Sequence, residues 1–183
     1  MSKIHIRNLA LTGLFMSVGL VLPFLTGQIP QVGNMLLPMH IPVFLCALIC
    51  GWQYGLPMAF VLPLLRSLIF GMPPLYPNAL SMAFELATYA FVAGFLYFLP
   101  KKQNLFTVYY SLIAAMIAGR LVWGAAQAVF LGISGKTFTF SAFLAGALLN
   151  AIPGIIIQLI LIPAILFTLS RTSLVPFKRP EKE

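Results

Sequence analysis

The chain has 183 residues, 61% of them hydrophobic and 8% charged, with a mean hydropathy of +1.00. These values exclude a soluble globular protein and leave an integral membrane protein, with room for one compact helical domain over residues 1–183. The net charge of +8 does not point to nucleic acid: with six crossings, Lys3, Arg7, Lys101, Lys102, Arg171, Lys178, Arg179 and Lys182 fall on one side, against Lys136 alone on the other. This positive-inside bias puts both termini in the cytoplasm and faces the basic tail with anionic lipid or a cytoplasmic partner.

The opening MSKIHIRN carries cations, but no small-residue cleavage site closes the apolar run behind it, so a retained first helix is expected over residues 8–25. Ala10, Gly13 and Ser17 lie on its early turns, and Gly13 with Ser17 forms a small-xxx-small pair suited to close helix approach. An uncharged loop over residues 27–38, with Gln28, Gln31 and Asn34, is expected outside, where it can cover a cavity. The second segment, 38–49, is short and opens on His40. Cys46 and Cys50 lie four residues apart with no His or acid at metal-ligand spacing, which reads as core packing with no disulfide and no metal.

GWQYG, residues 51–55, reads as a tight cytoplasmic turn, after which a third segment, 56–70, is interrupted by Pro57 and Pro63 and bears Arg66 near its outer end. GMPPLYP leads into a fourth helix over 78–99, and a fifth over 108–131 contains Arg120, Trp123 and Gln127. The sixth, 142–169, includes NAIPG and Gln158 and is long enough to kink, with Pro153 and Pro163 as the expected sites. The fold class is therefore all-α, a bundle of six transmembrane helices.

Glu85, in the fourth helix, is the only acidic residue before Glu181. An uncompensated charge at that depth costs roughly 2.5 kcal/mol or more, so the residue has to be paired, neutralised or used. Taking Pro77, Leu131 and Ala142 as outer helix ends, Glu85 and Asn150 lie eight residues inside and Arg120 eleven. At about 1.5 Å per residue the three then share a level to within roughly 5 Å. Helical spacing aligns Ser81, Glu85 and Tyr89 on one stripe, and Arg120, Trp123 and Gln127 on another.

A pocket reached from outside and lined by these groups follows, although each has a plainer reading. Glu85 and Arg120 either serve a ligand or only pair with each other. Arg66 either faces the cavity or snorkels to headgroups. His40, Tyr89 and Trp123 either line the site or pack in the bundle, and Asn150 either lines it or satisfies backbone opened by Pro153. No phosphate-binding loop, HExxH or GxSxG motif is present, and no second embedded carboxylate stands near Glu85, so catalysis is not expected and no cofactor is implied. A small proton-coupled carrier or channel using Glu85, or a structural assembly subunit, stays open beside a binding subunit.

The chain resembles the substrate-binding S components of energy-coupling factor (ECF) vitamin transporters. The resemblance rests on the order and spacing of LALTGLFMSVGLVL after the cationic start, MHIPVFLCALICGWQYGLPMAFVLPLLRSLIFGMPP, FELATYAFVAGFLY and NAIPGIIIQLILIP. It implies a prokaryotic plasma-membrane subunit that captures a water-soluble vitamin or precursor outside. The subunit then joins a transmembrane coupling protein and two cytoplasmic ATPases. The family docks through an AxxxA pattern in helix one, and Gly13 and Ser17 stand at those positions here, close to Ala10. Its ligand region maps onto Asn34, Ser81, Glu85, Tyr89, Arg120, Trp123, Gln127 and Asn150. An excess of Arg66, Arg120 and His40 over Glu85 leans toward an anionic ligand such as pantothenate. Pyridoxine or hydroxymethylpyrimidine comes next, stacked by Trp123 and Tyr89.

Overall fold

The computed structural model describes residues 3–26, 35–147 and 149–170. Asn34 and the basic tail from Arg171 onward lie outside the described residues. Backbone polar groups in lipid have to be satisfied within the segment, and the described chain meets this demand with helices. They are α1 (Lys3–Val21), α2 (His40–Cys50), α3 (Trp52–Phe70), α4 (Leu80–Phe98), α5 (Leu105–Ile133), α6 (Phe140–Ala147) and α7 (Ile152–Ser170). A 3-10 turn, Leu22–Thr26, extends α1; a wide turn, Leu75–Ala79, precedes α4; and a second 3-10 turn, Leu149–Ala151, precedes α7.

Five helical stretches are long and apolar enough to cross a membrane: Ile4–Leu25, Trp52–Phe70, Leu75–Phe98, Leu105–Ile133 and Ile152–Ser170. α2, with 11 residues, rises only about 16 Å, half a hydrocarbon core. The short helix is tolerated because protein surrounds it. Val43, Phe44, Cys46, Ala47 and Leu48 are fully buried, and α2 packs against α1, α3, α4 and α7. Small residues allow the close approach: a Cβ on Gly55 would stand 3.0 Å from the Ala47 Cα, and one on Gly94 would stand 3.0 Å from the Ala47 carbonyl oxygen. Cys46 and Cys50 are free and buried in this core.

Three local expectations change. GWQYG is not a five-residue turn: Gly51 alone reverses the chain, at φ 97°, and α3 already starts at Trp52. α3 then runs unbroken through Pro57 and Pro63. The expected sixth helix is two helices, α6 and α7, separated ahead of Pro153 at the Leu149–Ala151 turn, while Pro163 sits inside an uninterrupted α7.

The helix ends sort into two layers. His5 Nδ1 bonds the Tyr54 hydroxyl and the Asn8 amide donates to the Cys50 carbonyl, which joins the start of α1 to the α2–α3 junction. At the opposite ends, the Phe24 and Phe70 rings meet edge to face at 4.9 Å, and the Tyr76 hydroxyl donates to the Phe130 carbonyl. α4 lies along both α3 and α5, and this three-helix layer carries the buried Arg66, Ser81, Glu85 and Arg120.

Candidate functional site around Glu85

Three of the polar residues singled out from sequence converge on one atom. Arg120 Nη1 of α5 lies 2.9 Å from Glu85 Oε1, and the Tyr89 hydroxyl, one turn along α4, donates to the same oxygen at 2.8 Å. His40 Nε2, at the first residue of α2, is 3.8 Å from it, beyond hydrogen-bond reach. Glu85 is 2% exposed, His40 and Tyr89 1% each, and Arg120 9%. The carboxylate is thus neutralised by one guanidinium and held by one phenol, as a charge in a low-dielectric interior requires.

Tyr89 is fixed on every side. Its ring stacks on Phe44 at 5.1 Å and 21°, and meets His40 at 5.3 Å. Gly119 faces it from α5, where a Cβ would come within 2.1 Å of the ring. The residue before Arg120 is therefore glycine because the tyrosine that serves Glu85 occupies the space of a side chain. Gly119 escaped the sequence reading, since nothing in one chain says which ring on a neighbouring helix presses against it.

The cluster leaves several polar groups unanswered. Among the described residues, Arg120 Nε and Nη2, both ring nitrogens of His40 and the Ser81 hydroxyl are buried without a hydrogen-bond partner, and so are the Tyr97 hydroxyl of α4 and the Gln158 amide nitrogen of α7. Ser81 sits one turn before Glu85 on the same face of α4 and is fully buried. Unpartnered buried groups are few in native proteins, and several around one ion pair mark a place built for something more than packing.

The remaining candidates lie elsewhere. Gln127 is buried and its amide donates to Asn78 Oδ1 at 3.2 Å, joining α5 to the turn before α4. Trp123 is half-buried and belongs to an aromatic group with Phe143, at 6.4 Å, and Phe138, at 6.0 Å; a Cβ on Gly146 would stand 2.7 Å from its ring. It faces α6, and Tyr89 faces α2. Asn150 is exposed on the turn between α6 and α7, so the structure does not bring it to the buried pair. A groove of about 370 Å³ between α5 and α6, bordered by Leu121, Ala125, Phe138 and Phe140, is apolar apart from Thr139 and includes none of the clustered residues.

Arg66 neither snorkels nor joins the cluster. It is 3% exposed and donates to the Leu20 carbonyl at 2.6 Å, with its guanidinium 5.2 Å from the Phe24 ring and 5.4 Å from the Phe70 ring. A cation is favourable there, because the last carbonyls of α1 carry the negative end of the helix dipole.

Along α1, Ala10, Gly13 and Ser17 are exposed, a Cβ on Gly13 would meet nothing within 4 Å, and the Ser17 hydroxyl returns to the Gly13 carbonyl at 3.0 Å. Ile6, Leu9, Leu14, Val18 and Val21 are exposed on the same helix.

Residues 7–166 match the family of the ECF transporter substrate-specific component. This chain belongs to that family. It is a multi-pass membrane protein and a substrate-binding subunit of a transporter rather than an enzyme, as its family is. No curated protein and no solved structure matches the chain. The ECF substrate-specific component thus joins a buried polar cluster on α2, α4 and α5 to an open apolar face on α1.

Proposed function

We propose that this S component binds one water-soluble vitamin or vitamin precursor with high affinity and hands it to an ATP-driven module. That module comprises a transmembrane coupling protein and two cytoplasmic ATPases, which supply all the hydrolysis. The family match over residues 7–166 carries this reading. The buried cluster around Glu85 supports it, since it offers fixed polar groups in a desolvated setting, as small-molecule sites do. Residues 1–183 then form one transmembrane domain in a prokaryotic plasma membrane. α2 counts as a sixth, partial crossing and both termini are cytoplasmic, in line with Lys101 and Lys102 lying at the same end as Lys3 and Arg7.

Glu85, Arg120, Tyr89, His40 and Ser81 form the centre of the binding site in this reading, and Gln127 borders it. Trp123 and Asn150 stay as more distant ligand residues beside α6 and on the turn before α7, Asn34 is carried over from the family's ligand region alone, and Arg66 acts by holding the end of α1. The docking face for the coupling protein is the open side of α1 with Ala10, Gly13 and Ser17, where small residues let another helix come close.

Mass spectrometry of small molecules released from the purified protein tests the reading. A single vitamin-like compound, released on denaturation and rebound tightly, supports it. Protein that carries nothing and binds no vitamin or precursor contradicts it.

A further inference from the structure

The binding-subunit reading leaves the chemical class of the ligand open, and the inference that follows rests on it. Glu85 engages Arg120 through Nη1, and among the described residues Nε and Nη2 have no partner. Those two N–H groups lie on the same side of the planar guanidinium and point in parallel, spaced to meet the two oxygens of one carboxylate. Both nitrogens are buried, so neither water nor a headgroup at the surface satisfies them, and Arg120 is only 9% exposed. The Ser81 hydroxyl and the His40 ring add further unpartnered polar groups from α4 and α2.

We infer that the ligand carries a carboxylate, held two-pronged by the Nε–Nη2 edge of Arg120, with Ser81 and His40 as additional contacts. The alternative of a neutral aromatic ring stacked between Tyr89 and Trp123 is disfavoured by the positions of the two rings. Tyr89 is already covered by Phe44, His40 and Gly119, and Trp123 packs with Phe138 and Phe143 against α6.

Charge balance adds a condition. Glu85 and Arg120 cancel each other, so a second carboxylate in this interior requires a second cation. Arg66 is committed to the Leu20 carbonyl, and among the described residues the titratable or charged groups facing the site are Glu85 and Tyr89 from α4, Arg120 from α5 and His40 from α2. His40 is the one that becomes a cation by taking a proton, and its Nε2 already stands 3.8 Å from Glu85. The carboxylate therefore binds together with about one proton, which resides on His40.

The test uses the full chain in detergent and matched acid and neutral probes: pantothenate with panthenol, nicotinate with nicotinamide, and 4-pyridoxate with pyridoxine. Any compound released by the purified protein is added to the set. The expected result is one acid bound about 100-fold more tightly than its neutral counterpart, the range of a buried charge-assisted contact. Calorimetry in buffers of different ionisation enthalpy should show uptake of about one proton. Arg120→Lys, which keeps the positive charge beside Glu85 but loses the planar edge, should remove most of the acid preference. A neutral compound bound as tightly as its acid, or a released ligand without a carboxylate, overturns the inference and leaves the binding-subunit reading standing. Acid binding without proton uptake overturns the charge-balance part of the inference, since a neutral His40 supplies no second cation. Failure to bind any probe, with nothing released, contradicts both.

Discussion

Arg120 reaches Glu85 through a single nitrogen at 2.9 Å, with both side chains buried and His40 Nε2 3.8 Å from the same carboxylate oxygen. The pair joins α5 to α4 and settles the problem posed by a carboxylate inside a membrane segment. Glu85→Gln leaves Arg120 buried without a counter-charge. We expect a loss of about 3–5 kcal/mol, the usual effect of breaking a buried pair. Thermal unfolding in detergent would show it as a clear fall in midpoint. Replacing both residues, as Glu85→Gln with Arg120→Met, should recover much of that stability while binding stays lost, which separates holding the bundle from holding the ligand.

Gly119 sets the position of Tyr89. Gly119→Ala would place a methyl group 2.1 Å from the Tyr89 ring, so the ring has to move and its hydroxyl leaves Glu85 Oε1. Overpacking of this kind costs about 1–3 kcal/mol. Ligand affinity is expected to fall with it, measured by titration of the purified variant. Gly132→Ala, where a Cβ meets nothing within 4 Å, is the matched control and should leave affinity unchanged without lowering stability.

The Arg66 contact with the Leu20 carbonyl ties the C-terminal end of α1 to α3. Arg66→Gln removes the cation from the end of the helix dipole and from between the Phe24 and Phe70 rings, a loss of about 1–2 kcal/mol. Hydrogen exchange is expected to speed up over residues 18–26, with α4 and α5 unchanged. Equal exchange in α1 of both proteins would show that Arg66 does not hold it.

On α1, Gly13→Trp puts a large side chain into open space, so the bundle should fold and bind ligand normally. Transport by the assembled complex is expected to be abolished, because the docking helix can no longer come close. Normal uptake by that variant would move the docking face elsewhere.

The parts of this site that were legible in the sequence share one property: the residue type is scarce. One acid in the first 180 residues and one arginine in the fifth helix, at matching depths, could hardly avoid each other, and Tyr89 follows from its spacing to Glu85. What could not be read depends on partners across helices. Gly119 answers to Tyr89, Arg66 to Leu20, and Trp123 to Phe143 and Gly146.

Asn150 shows the other limit. A mostly apolar stretch from 142 to 169 hid the turn at Leu149–Ala151, on which Asn150 is exposed. α2 is as short as its sequence indicates, but hydropathy locates an apolar segment without saying whether lipid or protein surrounds it.

Uptake by the isolated chain is the most direct test of the central claim. The purified protein, reconstituted alone in liposomes, should bind its ligand tightly yet accumulate none of it, and should gain uptake only when the coupling protein, the two ATPases and ATP are added. Accumulation by the isolated chain, driven by a proton gradient or by the ligand's own gradient, would contradict the account and make Glu85 the working residue of a carrier.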